Sequence, residues 1–297
     1  MDQLGELRAL IARHAAGRYL QTRLPGVVIM ESHAPTEPLS AVARPSFAIV
    51  AQGVKRTVLA EQIFDYGPGQ FAVISLDLPV TGHVLRAGPD RPFLGMGLTL
   101  SPAAIATLLL DAPTAARTDA AGIAVSDATS DLLDPIIRLL HLLDRPEDIP
   151  VLAGAIEREI LWRLINGEQG ATIRQIGLAD SRLSQISRAI RRIRAGYAEP
   201  LRIEDLAKVA GMSVTSFHRH FRAVTAMSPL QFQKRIRLQE ARTRLITDSH
   251  DVAAVGYAVG YDSPSQFSRE YRRLFGAPPG RDASRLQALP PPDPTMV

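Results

Sequence analysis

Cysteine is absent from the 297 residues. The chain can therefore form no disulfide, no thiolate metal site and no thiol redox switch. Lysine is scarce: Lys55, Lys208 and Lys234 are the three in the chain, and arginine supplies the rest of the positive charge. No run of about 18 apolar residues occurs, which excludes a conventional membrane-spanning helix. The sequence does not open on a basic stretch followed by an apolar core, so the expectation is a cytoplasmic protein with no secretory signal and no membrane partner. Several fingerprints of catalysis are missing too: the Gly-x-Ser-x-Gly elbow, the P-loop and the dinucleotide-binding glycine pattern. Carboxylates are scattered without a readable pair. No catalytic residue and no cofactor are expected.

What is present suits a folded protein of about two domains, with 46% hydrophobic and 22% charged residues. The net charge of +4 conceals a segregation. Residues 1–180 carry 15 Lys+Arg against 20 Asp+Glu, whereas residues 181–287 carry 19 against 9. The first stretch is thus at −5 and the second at +10. A basic C-terminal third points to a polyanionic partner, most simply double-stranded DNA.

The texture changes along the chain. Leu4, Leu7, Leu10 and Ile11 have helical spacing. From about 26 to 100, apolar and β-branched runs alternate with Gly/Pro turns, at Val27–Met30, Phe47–Val50, Val54–Leu59, Phe71–Leu76, His83–Leu85 and Phe93–Leu100. This predicts a small β-barrel or sandwich. Ser101 and Pro102 suit an N-cap and a first helical position. Asp134-Pro135 is expected to open an apolar helix, and 148–166 a further amphipathic one. The expected domains are 1–170, a linker at 171–180, an all-helical unit at 181–287 and a disordered tail at 288–297.

Comparing the chain with itself uncovers a duplication. Phe217, Arg219, Phe221, Arg222 and Pro229 recur 50 positions later as Phe267, Arg269, Tyr271, Arg272 and Pro279. Ile203, Leu206, Ala210 and Gly211 recur 49 positions later as Val252, Val255, Val259 and Gly260. Each copy reads as helix, tight turn, helix. In the first, Val214, Phe217, Phe221 and Val224 are predicted to face inward, leaving Thr215, His218, Arg219 and Arg222 outward. In the second, Phe267, Tyr271 and Leu274 face inward, leaving Ser265, Ser268, Arg269 and Arg272 outward. This is the pattern of a helix-turn-helix whose second helix enters the major groove. Arginine can make bidentate contacts to guanine, and Ser, Thr or His can bond base edges or phosphates. A long helix from Pro229 to Ile246 is predicted to connect the copies.

At this point a resemblance becomes specific. Gly260-Tyr261-Asp262-Ser263-Pro264-Ser265-Gln266-Phe267-Ser268-Arg269-Glu270-Tyr271, followed by Phe275-Gly276, resembles the signature of the AraC/XylS family of bacterial transcription regulators. Gly211-Met212-Ser213, Arg237-Leu238 and Ala241-Arg242 are similar to that family's first repeat and connector. The resemblance implies a two-lobed DNA-binding domain reading adjacent major-groove segments. It implies base-edge contacts from Thr215, His218, Arg219, Ser265, Gln266 and Arg269, with Arg222 and Arg272 as phosphate contacts. It also implies RNA polymerase as a partner. The match departs from the family after the final Pro, where an aromatic residue and Arg are common; Arg281 and Asp282 occupy those places.

Phe47–Arg56 and Tyr66–Val80 resemble the N-terminal domain of an AraC subgroup, a cupin-like β-barrel that implies effector sensing, dimerisation, or both. The expected fold class is therefore α+β: a cupin-like β-barrel with flanking helices, then an all-α tandem helix-turn-helix domain. Metal-dependent cupins use a His-x-His pair, whereas His33 and His83 stand apart, so no metal is expected. A small-molecule effector fits inside a barrel. Phe47, Lys55, Tyr66 and Phe71 are its candidate contacts, with Lys55 the one lysine of this region able to form a Schiff base. The stripe Val151, Leu152, Ile156, Ile160 and Leu164 suits packing on the barrel or pairing in a homodimer. Two alternatives stand beside a ligand-responsive regulator: a cupin enzyme fused to a DNA-binding module, and an effector-independent dimeric regulator.

Overall fold

In the computed structural model, residues 2–15, 19–112, 121–178, 181–247 and 251–287 are described. The expected tail, 288–297, and residues 179–180 of the expected linker lie outside them.

Helix α1 (Gln3–Ala15) buries Leu7, Leu10 and Ile11. Strands follow at β1 (Tyr19–Gln21), β2 (Val27–Ser32), β3 (Leu39–Ala43), β4 (Ser46–Gln52), β5 (Val54–Leu59), β6 (Gln62–Tyr66), β7 (Gln70–Ile74), β8 (Leu78–Arg86), β9 (Phe93–Thr99) and, after α2 (Pro102–Leu109), β10 (Ile123–Asp127). They pair antiparallel into two sheets, ordered β1-β2-β9-β4-β7-β10 and β3-β8-β5-β6. α1 lies on β2, β4 and β9. Its apolar stripe covers Phe47 and Ile49 in a common core.

Four strands, β1, β3, β6 and β10, were not foreseen: β1 has only three residues, and the sequences of β3, β6 and β10 alternate weakly and leave much of their surface at least partly exposed. Leu78-Pro79 is not the expected break. Pro79 pairs with Val42 on β3, and β5 joins β8 only from Thr81 onward. A residue without an N–H therefore sits outside the doubly paired part of the strand.

Helices α3 (Ser130–His141), α4 (Ile149–Asn166) and α5 (Gly170–Gly177) close the first half. Ser101 caps α2 by accepting the Ala104 N–H, with Pro102 in the first turn. Pro135 does not open α3 but lies inside it, in the second turn after Ser130. The stretch expected as a linker instead carries α5, because Ile173 and Ile176 bury against α2 and α4.

The second half is helical: α6 (Arg182–Ala195), α7 (Ile203–Ala210), α8 (Val214–Thr225), α9 (Pro229–Thr247), α10 (Val252–Ala258), α11 (Pro264–Phe275) and α12 (Pro279–Gln287). α7 and α8 form the first helix-turn-helix, and α10 and α11 the second. Ser213 and Ser263 accept the N–H of Ser216 and Gln266 at the start of α8 and α11. α9 connects the two, about 28 Å long at 1.5 Å per residue.

The sequence departure at 281–282 has a structural role. Asp282 is 0% exposed. It accepts two bonds from the Arg242 guanidinium, at 2.8 and 3.2 Å, and one from the Tyr271 hydroxyl at 2.9 Å. Arg242 also stacks over the Phe275 ring, 4.5 Å from its centroid. One buried ion pair thus ties α9, α11 and α12 together. Burial alone would raise the Asp282 carboxyl, but the bonds from Arg242, Tyr271 and Arg285 outweigh it and hold it below the ordinary aspartate range. Its contribution to stability is therefore present above the unfolded value of about 3.9 and fades as pH falls through the lowered folded value. Asp282→Asn is expected to destabilise the protein by about 3–5 kcal/mol at neutral pH, because it leaves Arg242 buried and uncompensated. The difference from wild type should shrink in acid, as read by urea unfolding at a series of pH values.

Candidate nucleic-acid interface and ligand cavity

The two reading helices are built alike. In α8, Phe217 and Phe221 are buried against each other and against Phe232 of α9. In α11, Phe267 and Tyr271 play the same part with Tyr261 and Phe275. These rings fix which side of each helix faces solvent. Thr215, His218, Arg219 and Arg222 are exposed on α8, as are Ser265, Gln266, Arg269 and Arg272 on α11. Val214, expected inward, is 39% exposed. It opens the helix, one turn before the buried Phe217. His218 is outward and His220 half-buried, with its ring 3.4 Å from the Arg219 guanidinium.

Sequence reasoning missed the groups that hold these helices in place. Glu270, on α11, accepts from Lys234 at 2.9 Å and from the Tyr261 hydroxyl at 2.9 Å. Burial would raise this carboxyl, but those donors keep it below the ordinary glutamate range. Arg237 of α9 donates to four main-chain carbonyls: Tyr197 at 2.7 Å, Gly260 at 2.7 Å, Ala198 at 2.9 Å and Glu199 at 3.1 Å. Gln233, one turn earlier, donates to the Tyr197 and Glu199 carbonyls as well. Gly260 has φ +90°, and a Cβ there would lie 2.2 Å from the Ala198 carbonyl oxygen. Only glycine lets the turn of the second motif close onto the segment that follows α6.

Between the two sheets, and reaching the second half, lies a cavity of about 830 Å³. Its origin is visible in the strand sequences. Ala48 of β4 pairs with Gly97 of β9 and with Ala72 of β7, while Val50 pairs with Gly95. Ala48, Ala72, Gly95 and Gly97 all line the space. Small residues at neighbouring positions on three adjacent strands leave the interior unfilled. Lys55, Thr57 and Tyr66 line it from β5 and β6. Ile236, Gln239, Thr243 and Ile246 of α9 complete the wall. That contribution from the second half had no sequence signal, since it depends on how the halves meet.

The four expected effector contacts separate. Lys55 and Tyr66 lie on the cavity. Phe71 is not among the lining residues, and Phe47, which touches the cavity, packs its ring on Phe71 at 5.2 Å in the core beneath α1. Alternation along the strand accounts for this: 47 and 71 are core positions, whereas 48 and 72 line the space. Among the described residues no three His, Asp or Glu side chains come together as a metal site. His33 meets Glu31 at 3.3 Å, and His83 lies apart on β8, where burial and, less, the Arg56 charge push its pKa below the ordinary histidine value. No helix of the described residues is long and apolar enough to cross a membrane.

The two halves are joined by charge and packing. Arg194 of α6 pairs with Asp77, and Arg285 of α12 with Glu37. α9 packs on β3 and β8. Gly122 approaches the first reading helix so closely that a Cβ would lie 2.0 Å from the Val224 carbonyl oxygen.

Comparison with known proteins follows the same division. Residues 23–172 match the AraC-type transcriptional regulator N-terminus, and residues 206–285 a helix-turn-helix domain. The HTH-type transcriptional regulator ArgR of Pseudomonas aeruginosa is 28% identical over 148 residues, covering 50% of this chain and 45% of that protein. The RCS-specific HTH-type transcriptional activator RclR of Escherichia coli is 36% identical over 89 residues, covering 30% and 31%. The chain thus spans less than half the length of either relative. Among solved structures, apo ToxT of Vibrio cholerae superposes with a TM-score of 0.58 at 7% identity, covering 89% of this chain and 99% of that one. Wild-type ToxT with a bound unsaturated fatty acid gives 0.54 at 9% identity, covering 89% and 96%. At such identities the likeness is one of fold.

The alternation of core and cavity positions has a direct test. Phe47→Ala should cost about 3–5 kcal/mol in thermal or urea unfolding, as for a core aromatic. Ala48→Leu, one residue away, should stay within about 1 kcal/mol of wild type, because its side chain enters open space rather than a filled core.

Proposed function

The chain belongs to the AraC-type transcriptional regulators, and from that premise we propose that it is a sequence-specific DNA-binding regulator controlled by a small-molecule effector held in its β-domain cavity. One observation carries the reading. Two matched helix-turn-helix motifs, each presenting an exposed row of Arg with Thr, His or Ser, are joined by a single 19-residue helix. The charge of +10 over 181–287 supports a polyanionic duplex as the partner.

In this reading Thr215, His218 and Arg219 contact base edges from α8, and Ser265, Gln266 and Arg269 from α11. Arg222 and Arg272 grip phosphates. Phosphate contacts position the protein and base contacts give it sequence preference. The protein acts by binding, not catalysis, in the cytoplasm, with RNA polymerase as the further partner of a promoter-bound regulator. Val151 and Leu152, 77% and 43% exposed at the start of α4, support a homodimer contact. A purely structural role for the β-domain would call for a filled interior; the cavity of about 830 Å³ supports an effector instead. An effector changes DNA affinity only if it binds two arrangements of the halves unequally. A cavity lined from both halves supports such control, because a ligand in it contacts both halves only while they are docked.

The assignments differ in their consequences for DNA affinity. Arg219→Ala and Arg269→Ala should each cost about 1–3 kcal/mol at the preferred site and relax the preference at one base pair. Arg222→Ala should weaken binding to all sequences alike and lower the salt slope by about one. Electrophoretic or fluorescence titrations on specific and random duplexes at several salt concentrations separate the two. Equal weakening of specific and random DNA by the first pair would contradict the assignment.

A further inference from the structure

We infer that Tyr197 is the positioning residue through which an occupant of the cavity sets the spacing of the two reading helices. This rests on the reading of the cavity as an effector site and gives that site a route to DNA.

Tyr197 belongs to residues 196–202, the non-helical stretch between α6 and α7. It lines the cavity. It also packs on two cores at once, the one that runs from the β-domain into the first lobe and the separate one of the second lobe. Among the described residues it is the one partly buried apolar residue common to both. Its hydroxyl accepts from Arg244 of α9 at 2.7 Å, and Arg244 is held in turn by Glu240, a cavity residue, at 3.2 Å. Its carbonyl accepts from Gln233 at 3.0 Å and from Arg237 at 2.7 Å. The side chain is thus tied to the cavity wall and the carbonyl to the junction of the lobes.

That junction has no slack. Ala198, the next residue, stands against Gly260, where a Cβ would lie 2.2 Å from the Ala198 carbonyl oxygen. Gly260 lies in the turn between α10 and α11. On the other side, α6 packs on α7 and α8. Residues 197–199 are therefore the spacer between the first motif and the turn of the second. A shift of α9 as a unit carries both readers along and leaves their spacing as it was. A shift of Tyr197 relative to α9 changes it, because the one planar group of Arg237 bonds both the Tyr197 and the Gly260 carbonyls. An occupant that presses on Tyr197 favours one placement of the spacer. A duplex whose segments suit the other placement favours the empty cavity, so the two bindings are linked in both directions.

A built-in occupant tests this without a chosen ligand. Leu39 and Thr57 both pair with Gly82 of β8, so their side chains share a face, and Ala41 lies on it two residues along from Leu39. All three line the cavity. Ala41→Phe therefore fills the space from β3, the strand on which α9 packs, and Ala48→Leu fills it from the opposite sheet. Each is made alone and together with Tyr197→Leu, with folding checked by thermal unfolding. Binding is then titrated on duplexes whose two contacted segments stand at the preferred spacing, one base pair closer or one base pair farther, a step of about 3.4 Å.

Tyr197→Leu should reduce the preference among spacings by about fivefold or more. Tyr197→Phe, which keeps the ring, should stay near wild type. At least one filling variant should change the preference by a similar factor when made alone and leave it unchanged beside Tyr197→Leu. A residue that merely supports the fold would lower affinity for all three duplexes alike. That outcome would overturn the assignment, as would a filling effect that persists beside Tyr197→Leu, or filling variants that fold and leave the preference untouched. Hydrogen exchange of the full chain without DNA follows the junction itself, at the Gly260 and Tyr261 amides bonded to the Tyr257 and Gly256 carbonyls. Filling should alter their exchange in the otherwise wild-type chain and not beside Tyr197→Leu. If it does so in a chain that prefers no duplex, the role of Tyr197 stands and the regulator reading falls.

Discussion

Arg237 projects from the middle of the connecting helix and donates to the carbonyls of Tyr197, Ala198, Glu199 and Gly260. Three of these acceptors belong to the segment after α6, in the first lobe, and the fourth to the turn of the second helix-turn-helix. The bonds are charge-assisted and share one planar group, so they fix direction as well as distance. Gly260 makes the arrangement possible, since a side chain there would strike Ala198. The spacing of the two reading helices depends on this junction. The junction acts together with Lys234–Glu270 and Arg242–Asp282, which tie α9 to the second reader, and with Phe232, which ties α9 to the first.

The same helix serves a second purpose. Gln233 and Arg237 of α9 address the junction of the lobes, while Ile236, Gln239, Thr243 and Ile246 address the cavity. Arg242 anchors α12 and the second reader through Asp282. One rigid rod therefore touches the ligand space, the interlobe junction and both readers. A ligand that shifts α9 relative to β3 and β8 meets little slack, because close-packed interiors transmit displacement. The ion pairs Arg194–Asp77 and Arg285–Glu37 bridge the halves at two further places. Arg285 is partly exposed, so that bridge contributes modestly.

Much of this was legible in the residues. The repeat Phe217-x-Arg219-x-Phe221 and Phe267-x-Arg269-x-Tyr271 carries both the fold and the candidate DNA contacts, because helical spacing fixes which side chains turn inward. Ser101-Pro102 marked the start of α2 for the same local reason. What could not be read depends on long-range contact. Asp282 looked like a departure from a pattern until Arg242 was found forty residues away. Residues 171–180 looked like a linker because their apolar positions, Ile173 and Ile176, have their partners on α2 and α4. Phe71 looked like a ligand contact because aromatics suit both cores and pockets; it lies off the cavity, whereas Phe47 both touches the cavity and packs on Phe71 in the core. Which face of a strand points to the cavity is set by register, and the small residues Ala48, Ala72, Gly95 and Gly97 were the better sign.

The central claim is that two readers are held at one fixed spacing within a single chain. The direct measurement is affinity for a preferred duplex into which five base pairs, half a helical turn, are inserted between the two contacted segments. A rigid pair of readers can no longer face both grooves at once, so affinity should fall toward the level for random sequence. Affinity that survives the insertion unchanged would mean that the lobes move independently, and would contradict the account.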